Sequence, residues 1–240
     1  MNNEYARSIY DRLLDEMTHG VKGGLYHATQ IRFAYNSNRI EGSRLSEEQT
    51  RYIFETNAID TAANVDDIIE TVNHFACFDC MLKNAKRPLG EDMIKRMHAM
   101  IKRGTSQERL DWFNAGEYKA LPNVIGGRET TPPGDVAAEM KNLIGAYARL
   151  SEIGLKEIVD FHFKFEQIHP FQDGNGRVGR MLLFKECLAF GVTPFIIDER
   201  HKLFYYRGLG EYEKEPGFLL GTCESAQDDY IRMAGRFFVM

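Results

Sequence analysis

Cysteine, proline and tryptophan are scarce in this chain, with four, seven and one respectively among 240 residues. Cys77, Cys80, Cys187 and Cys223 are too few and too scattered for a disulfide framework and read as thiols. Cys77-x-x-Cys80, with His74 upstream, has the spacing of half a metal site. No second Cys pair accompanies it, and it lies in an apolar helical pattern (Val65, Ile68, Ile69, Val72, Phe75, Ala76), so core packing is expected. Long apolar runs are missing as well, none approaching the ~18 residues of a membrane span. The opening Met-Asn-Asn-Glu-Tyr-Ala-Arg carries no apolar signal core, so the expectation is a cytoplasmic protein with no membrane partner. There is no basic excess, and a formal charge of −5 sets aside nucleic acid as the main partner. Strand-like alternation is rare, and no His/Glu spacing suggests zinc.

What the chain does contain is a 43% hydrophobic and 12% aromatic composition, enough for one sizeable core with no linker demanding a second domain. The reading is mostly α. Val136, Met140, Leu143, Ile144, Tyr147 and Leu150 recur at helical spacing, and Leu155 to Ile168 is apolar nearly all round, as befits a helix at the centre. Pro170 stops that helix just after His169. Between Arg103 and Gly134 periodicity disappears, and Gly126-Gly127 between short β-prone runs predicts a hairpin. A loop of this length in a compact domain is a functional candidate.

The densest chemistry lies in His169-Pro-Phe-Gln-Asp-Gly-Asn-Gly-Arg-Val-Gly-Arg180. Gly174 and Gly176 flank Asn175 where an apolar helical pattern begins, so free N–H groups and the positive end of a helix dipole face an anion. Asp173 is a hard oxygen ligand suited to Mg²⁺, and Arg177 and Arg180, three apart, lie on one helix face within reach of a polyphosphate. The combination describes phosphoryl or nucleotidyl transfer. The stretch resembles the signature of the Fic family, His-Pro-Phe-x-Asp/Glu-Gly-Asn-Gly/Lys-Arg-x-x-Arg, and matches it at every specified position.

The resemblance implies a Fic-type helical bundle with a small β-hairpin flap beside the active site. It implies a single domain over 1–240, with an inhibitory helix in the N-terminal region 1–60, a catalytic core over 90–200 and C-terminal helices over 201–240. The implied activity is protein adenylyltransfer, in which AMP moves from ATP to a Tyr, Thr or Ser hydroxyl with Mg²⁺ present. His169 then takes the hydroxyl proton, and Asp173 holds Mg²⁺ between the α- and β-phosphates. The N–H groups of Gly174, Asn175 and Gly176 stabilise the phosphates, Arg180 orients the γ-phosphate and Arg177 supports the β-phosphate. In the family the flap holds the target segment by main-chain pairing, which makes Ile125, Gly126, Gly127 and Arg128 candidate nucleotide contacts; the preceding Gly116-Glu-Tyr-Lys119 also looks like the family's pattern. Leu203-Phe-Tyr-Tyr-Arg-Gly-Leu209 is similar to a segment whose paired tyrosines line the adenine site, pointing to Tyr205 and Tyr206. The implied partners are ATP, a protein substrate of unread identity, the chain itself through self-modification, and a second copy in a homodimer.

A second motif, Ser37-Asn-Arg-Ile-Glu41-Gly42, resembles the inhibitory Ser/Thr-x-x-x-Glu-Gly/Asn motif of one class of Fic proteins. Ser37 and Glu41 are four apart and share a helix face, Gly42 fits a C-cap, and Ser46-Glu-Glu-Gln49 fits a capping box opening the next helix. A carboxylate at a helix C-terminus is opposed by the dipole and wants a cation; the resemblance supplies Arg180. Transfer of another phosphate-linked group, AMP removal and a nucleotide-responsive binding module stay open as alternatives, although Gly176, where relatives with a reversed nucleotide have Lys, favours AMP transfer.

Overall fold

The computed structural model describes residues 2–59 and 62–238. Within them the chain forms α1 (Asn2–His19), α2 (Leu25–Ile40), α3 (Glu47–Thr56), α4 (Val65–Lys83), α5 (Glu91–Lys102), α6 (Val136–Tyr147), α7 (Leu155–Ile168), α8 (Asn175–Phe190), α9 (Lys202–Glu211) and α10 (Gly217–Phe238). One hairpin, β1 (Val124–Ile125) and β2 (Arg128–Glu129), stands between α5 and α6. The architecture is therefore mostly α with a small β flap, as the periodicities predict.

The centre is α8, which packs against α1, α2, α4, α5 and α7. Every residue from Arg177 to Leu188 is buried, charged ones included. Burying charge is tolerable only when it is paired; Lys185 Nζ donates to Glu186 Oε1 and to the Arg87 carbonyl, both at 2.6 Å. The all-round apolarity of α7 has an equally plain cause. Phe161, Phe165 and Ile168 enter one apolar cluster, while Ile158, Val159 and Phe163 enter a second, so the helix is a wall between two cores. Cys77, Cys187 and Cys223 are buried and unbridged, Cys77 in the first of these cores, as the composition predicts.

Local signals end the elements. Ser46 and Gln49 form the predicted capping box at α3. Gly42, with φ 102°, donates its N–H to the Arg39 carbonyl and turns the chain out of α2. The pattern through Leu150 overruns α6, which stops at Tyr147; Ala148 and Leu150 bond back to Ile144 and Tyr147 as the chain turns toward Gly154, and Leu150 is left 45% exposed. In the hairpin Val124 pairs with Glu129 and Ile125 with Arg128, and Gly126 and Gly127 both have positive φ, 55° and 80°, as a tight antiparallel turn requires. No described helix is long and apolar enough to cross a membrane.

Candidate active site

The end of α7 and the start of α8 are joined by a turn that fixes every candidate group. His169 caps α7 in the left-handed region, φ 50° and ψ 63°, its N–H bonded to the Phe165 carbonyl. A residue preceding proline is sterically pushed out of the right-handed helix, and here no glycine relieves the strain. Asn175 does not present its side chain to a ligand: Oδ1 accepts from the Phe171 N–H and Nδ2 donates to the Phe171 carbonyl, each at 2.8 Å, stapling the turn. Gly174 has φ 81°, and a Cβ there would press on Lys102. The first N–H groups of α8 have no intrahelical acceptor, leaving an anion seat at the helix start.

Beside that seat opens a cavity of about 740 Å³, a size suited to a small-molecule ligand. His169, Gly176 and Arg180 line it, together with Tyr205 and Tyr206 and with Ile125, Gly126 and Arg128 of the flap. Gly127 is not in the lining. Tyr205 is buried with its hydroxyl 2.7 Å from His162 Nε2, while Tyr206 is 45% exposed and donates to the Ile40 carbonyl.

In this structure a carboxylate already faces the seat. Arg180 Nη2 donates to Glu41 Oε1 at 2.7 Å and to the Ser37 carbonyl at 2.9 Å, and its Nε donates to Ser37 Oγ at 3.1 Å. Burial opposes the Arg180 charge, and the Glu41 carboxylate, with Tyr205 and Glu166 nearby, more than offsets it. The glycine at 176 leaves room for this approach, because a Cβ there would overlap Glu41 Oε1 and Arg180 Nη1 in their present positions.

The two signature arginines do not share a ligand. Arg177 is absent from the cavity lining; it turns to Glu70 of α4 and to Asp173 Oδ2, the latter at 3.2 Å. Lys102 of α5 joins them, its Nζ 2.5 Å from Glu70 Oε1 and 2.6 Å from Asp173 Oδ2. Burial alone would raise the Asp173 pKa, but Lys102 and Arg177 bring it down to about 2. Asp173 is thus ionised at any ordinary pH and 37% exposed, the state a hard cation needs. Two cations and two carboxylates balance, so a divalent ion here depends on charge brought by a polyphosphate. On that donor chemistry the residues fit Mg²⁺.

Sequence reasoning missed several supporting groups. His98 stacks on Phe171 at 3.9 Å between ring centroids; its Nδ1 accepts the Gly116 N–H at 2.8 Å, so its Nε2 donates to the Asp173 carbonyl at 3.0 Å. Glu166, one turn before His169, lines the cavity, and burial pushes its carboxyl up to about 8. Its Oε2 lies 3.8 Å from His169 Nδ1, too far for a hydrogen bond, and its Oε1 has no partner among the described residues. His169 itself is lowered to about 4, by burial first and then by the nearby Lys119 cation. The available signal was that His98 and Lys102 interrupt the apolar stripe of α5 (Ile94, Met97, Ile101) four residues apart.

Fold and site together define a class: a helical-bundle protein with an anion seat at a buried helix start and a β-hairpin lining the same cavity. Residues 88–186 match the Fic/DOC family. Over that span the chain is similar to Fic domains. It is 29% identical over 227 residues to Protein adenylyltransferase Fic of Culex quinquefasciatus, covering 89% of this chain and 44% of that protein. Protein adenylyltransferase fic-1 of Caenorhabditis elegans is 26% identical over 225 residues, with 87% and 42% covered, so the chain spans less than half the length of these relatives. Among solved structures, a Fic domain containing signaling protein from Bacteroides thetaiotaomicron superposes with a TM-score of 0.73 at 23% identity, over 98% of this chain and 91% of that one. Fic-1 from C. elegans gives 0.69 at 21% identity, over 98% and 73%. At these identities the likeness establishes the fold.

Proposed function

We propose that the chain, read as one Fic domain, is a protein adenylyltransferase restrained by Glu41, moving AMP from ATP to a hydroxyl of a protein. The observation that carries this reading is the cavity in which His169, the start of α8 and Arg180 meet Tyr205 and Tyr206. The similarity to proteins named adenylyltransferases supports ATP as the substrate.

In the reading, phosphates lie against the Gly176 N–H and its neighbours, and the base lies between the flap and the tyrosines. His169, neutral at pH 7, takes the proton of a Tyr, Thr or Ser hydroxyl whose oxygen attacks the α-phosphorus, and pyrophosphate leaves. Asp173 would hold Mg²⁺, which when bound supplies charge neutralisation on the phosphates. Arg180 orients the γ-phosphate, a task incompatible with its bond to Glu41. Arg177 reaches the phosphates only on leaving Glu70.

Can one ion pair restrain the site? Inverting a 1:99 population takes about 5.5 kcal/mol, and breaking a fully buried pair costs roughly 3–5 kcal/mol. Arg180 is 2% exposed but Glu41 is 29% exposed, so their bond falls below that range and acts with the Ser37 contacts rather than alone.

The test is intact-mass analysis of the wild type and Glu41→Gly after incubation with Mg-ATP labelled separately at the α- and γ-phosphates. Gain of AMP with α-label, greater in Glu41→Gly, is the expected result and also reports self-modification. Gain of γ-label alone replaces the reading with phosphate transfer. Size-exclusion of the same samples tests the homodimer.

A further inference from the structure

The flap is too short to hold itself. Two residues per strand, exposed on both faces, are far below what an isolated hairpin needs, so something else must fix its position. That something is Lys119, 4% exposed, just ahead of the hairpin. Its Nζ donates to Asn123 Oδ1 at 2.8 Å, to Thr130 Oγ1 at 2.5 Å and to the Ile168 carbonyl at 3.3 Å. Asn123 immediately precedes β1, Thr130 immediately follows β2, and Ile168 is the last residue of α7 before His169. Three donors meet three acceptors, which an ammonium group satisfies and a neutral amine does not. The main chain adds a bond from the Lys119 N–H to the Pro170 carbonyl at 2.9 Å, and Asn123 Nδ2 donates to the Phe171 carbonyl at 3.1 Å. No carboxylate is among the groups that Nζ contacts; the carbonyl end of α7, negative by its dipole, supports the charge instead.

We propose that Lys119 is the positioning residue that fixes the flap to His169, tying both feet of the hairpin to the end of the helix that carries the candidate base. The tie sets how far a target segment paired to the flap stands from the imidazole. Its charge has a second effect, since the groups acting on His169 are Lys119, the backbone of Glu166 in α7, Asp173 of the turn and Glu41 just past the end of α2, and Lys119 is the cation among them. Removing it while the others stay moves the imidazole pKa upward. The consequence for AMP transfer rests on the proposed function; the fixing of the flap does not.

The test compares Lys119→Met, Lys119→Arg and Thr130→Val, each in the full chain with and without Glu41→Gly. Amide exchange over residues 121–131 and NMR titration of the His169 ring are read beside ATP affinity and AMP transfer. In Lys119→Met, flap protection and transfer kcat each fall about tenfold or more, as expected on losing hydrogen bonds to a charged group, while ATP affinity falls by less. The His169 titration moves to higher pH, which a loss of packing alone does not produce. Lys119→Arg keeps the charge and restores most of both. Unchanged exchange and titration in Lys119→Met overturn the proposal, as does a loss confined to ATP affinity. If Lys119→Met fails to fold, Thr130→Val must show the same pattern at smaller amplitude; wild-type flap exchange in it counts against the proposal. If Glu41→Gly transfers no AMP while exchange and titration change as stated, the functional reading falls and the role of Lys119 stands.

Discussion

His169 keeps a Cβ at φ 50°, a conformation that costs on the order of 1–3 kcal/mol and persists only when its surroundings enforce it. His169→Gly should therefore unfold at higher denaturant than His169→Ala, by about 1 kcal/mol, while both lose transfer by roughly 10²–10⁴-fold and keep ATP binding. Denaturant midpoints and radiolabel transfer check the two halves separately. Glu166 gives a pH prediction. Its folded pKa, about 8, lies above that of an unfolded glutamate, so its stabilising share is complete in acid and is lost as pH rises through about 8. Glu166→Gln removes that dependence; between pH 5 and pH 8 its unfolding free energy should fall less than the wild type's, by a margin of about 1 kcal/mol or more. Equal slopes for the two proteins would refute a protonated Glu166. At this scale the signature residues were legible because they are consecutive. Glu70 and Lys102 were not, because what makes each one matter is a partner on a remote segment, and a lone Lys or Glu is indistinguishable from a solvated one until the helices are packed; Lys119 stood in a recognisable pattern, but its partners did not show.

Helices α7 and α8 cross closely enough that Gly179 has no room for a side chain: a Cβ would overlap Glu166 Oε1 and crowd His162. Gly179→Ala should destabilise the protein by about 1–3 kcal/mol, the usual cost of overfilling a close contact, with thermal unfolding as the check. A variant as stable as wild type would mean that Glu166 can move aside freely. The long helices and the hairpin were readable from periodicity and from Gly126-Gly127, since an all-round apolar pattern, a capping box and a double glycine each have one structural outcome. The end of α6 was not, because Leu150 continues the spacing while the chain has already turned, and nothing local separates an exposed leucine from a buried one.

Across the whole molecule, α2 brings Ser37 and Glu41 against Arg180 of α8, so the N-terminal helices contribute to the wall of the cavity. Releasing that contact should let a nucleotide stabilise the fold more strongly. In the presence of Mg-ATP, the melting temperature of Glu41→Gly should rise several degrees more than that of the wild type, as a tighter ligand shifts the folding equilibrium further. Equal shifts would separate Glu41 from ligand binding.

Gly176 ties this arrangement to heredity. A glycine codon becomes an alanine codon by one base change, and the added methyl group would meet Glu41 Oε1 and Arg180 Nη1 at once. A lineage can therefore disturb the Glu41 contact without altering either charged residue. In such a descendant the motif around Glu41 would read as intact while its seat beside Arg180 had shifted.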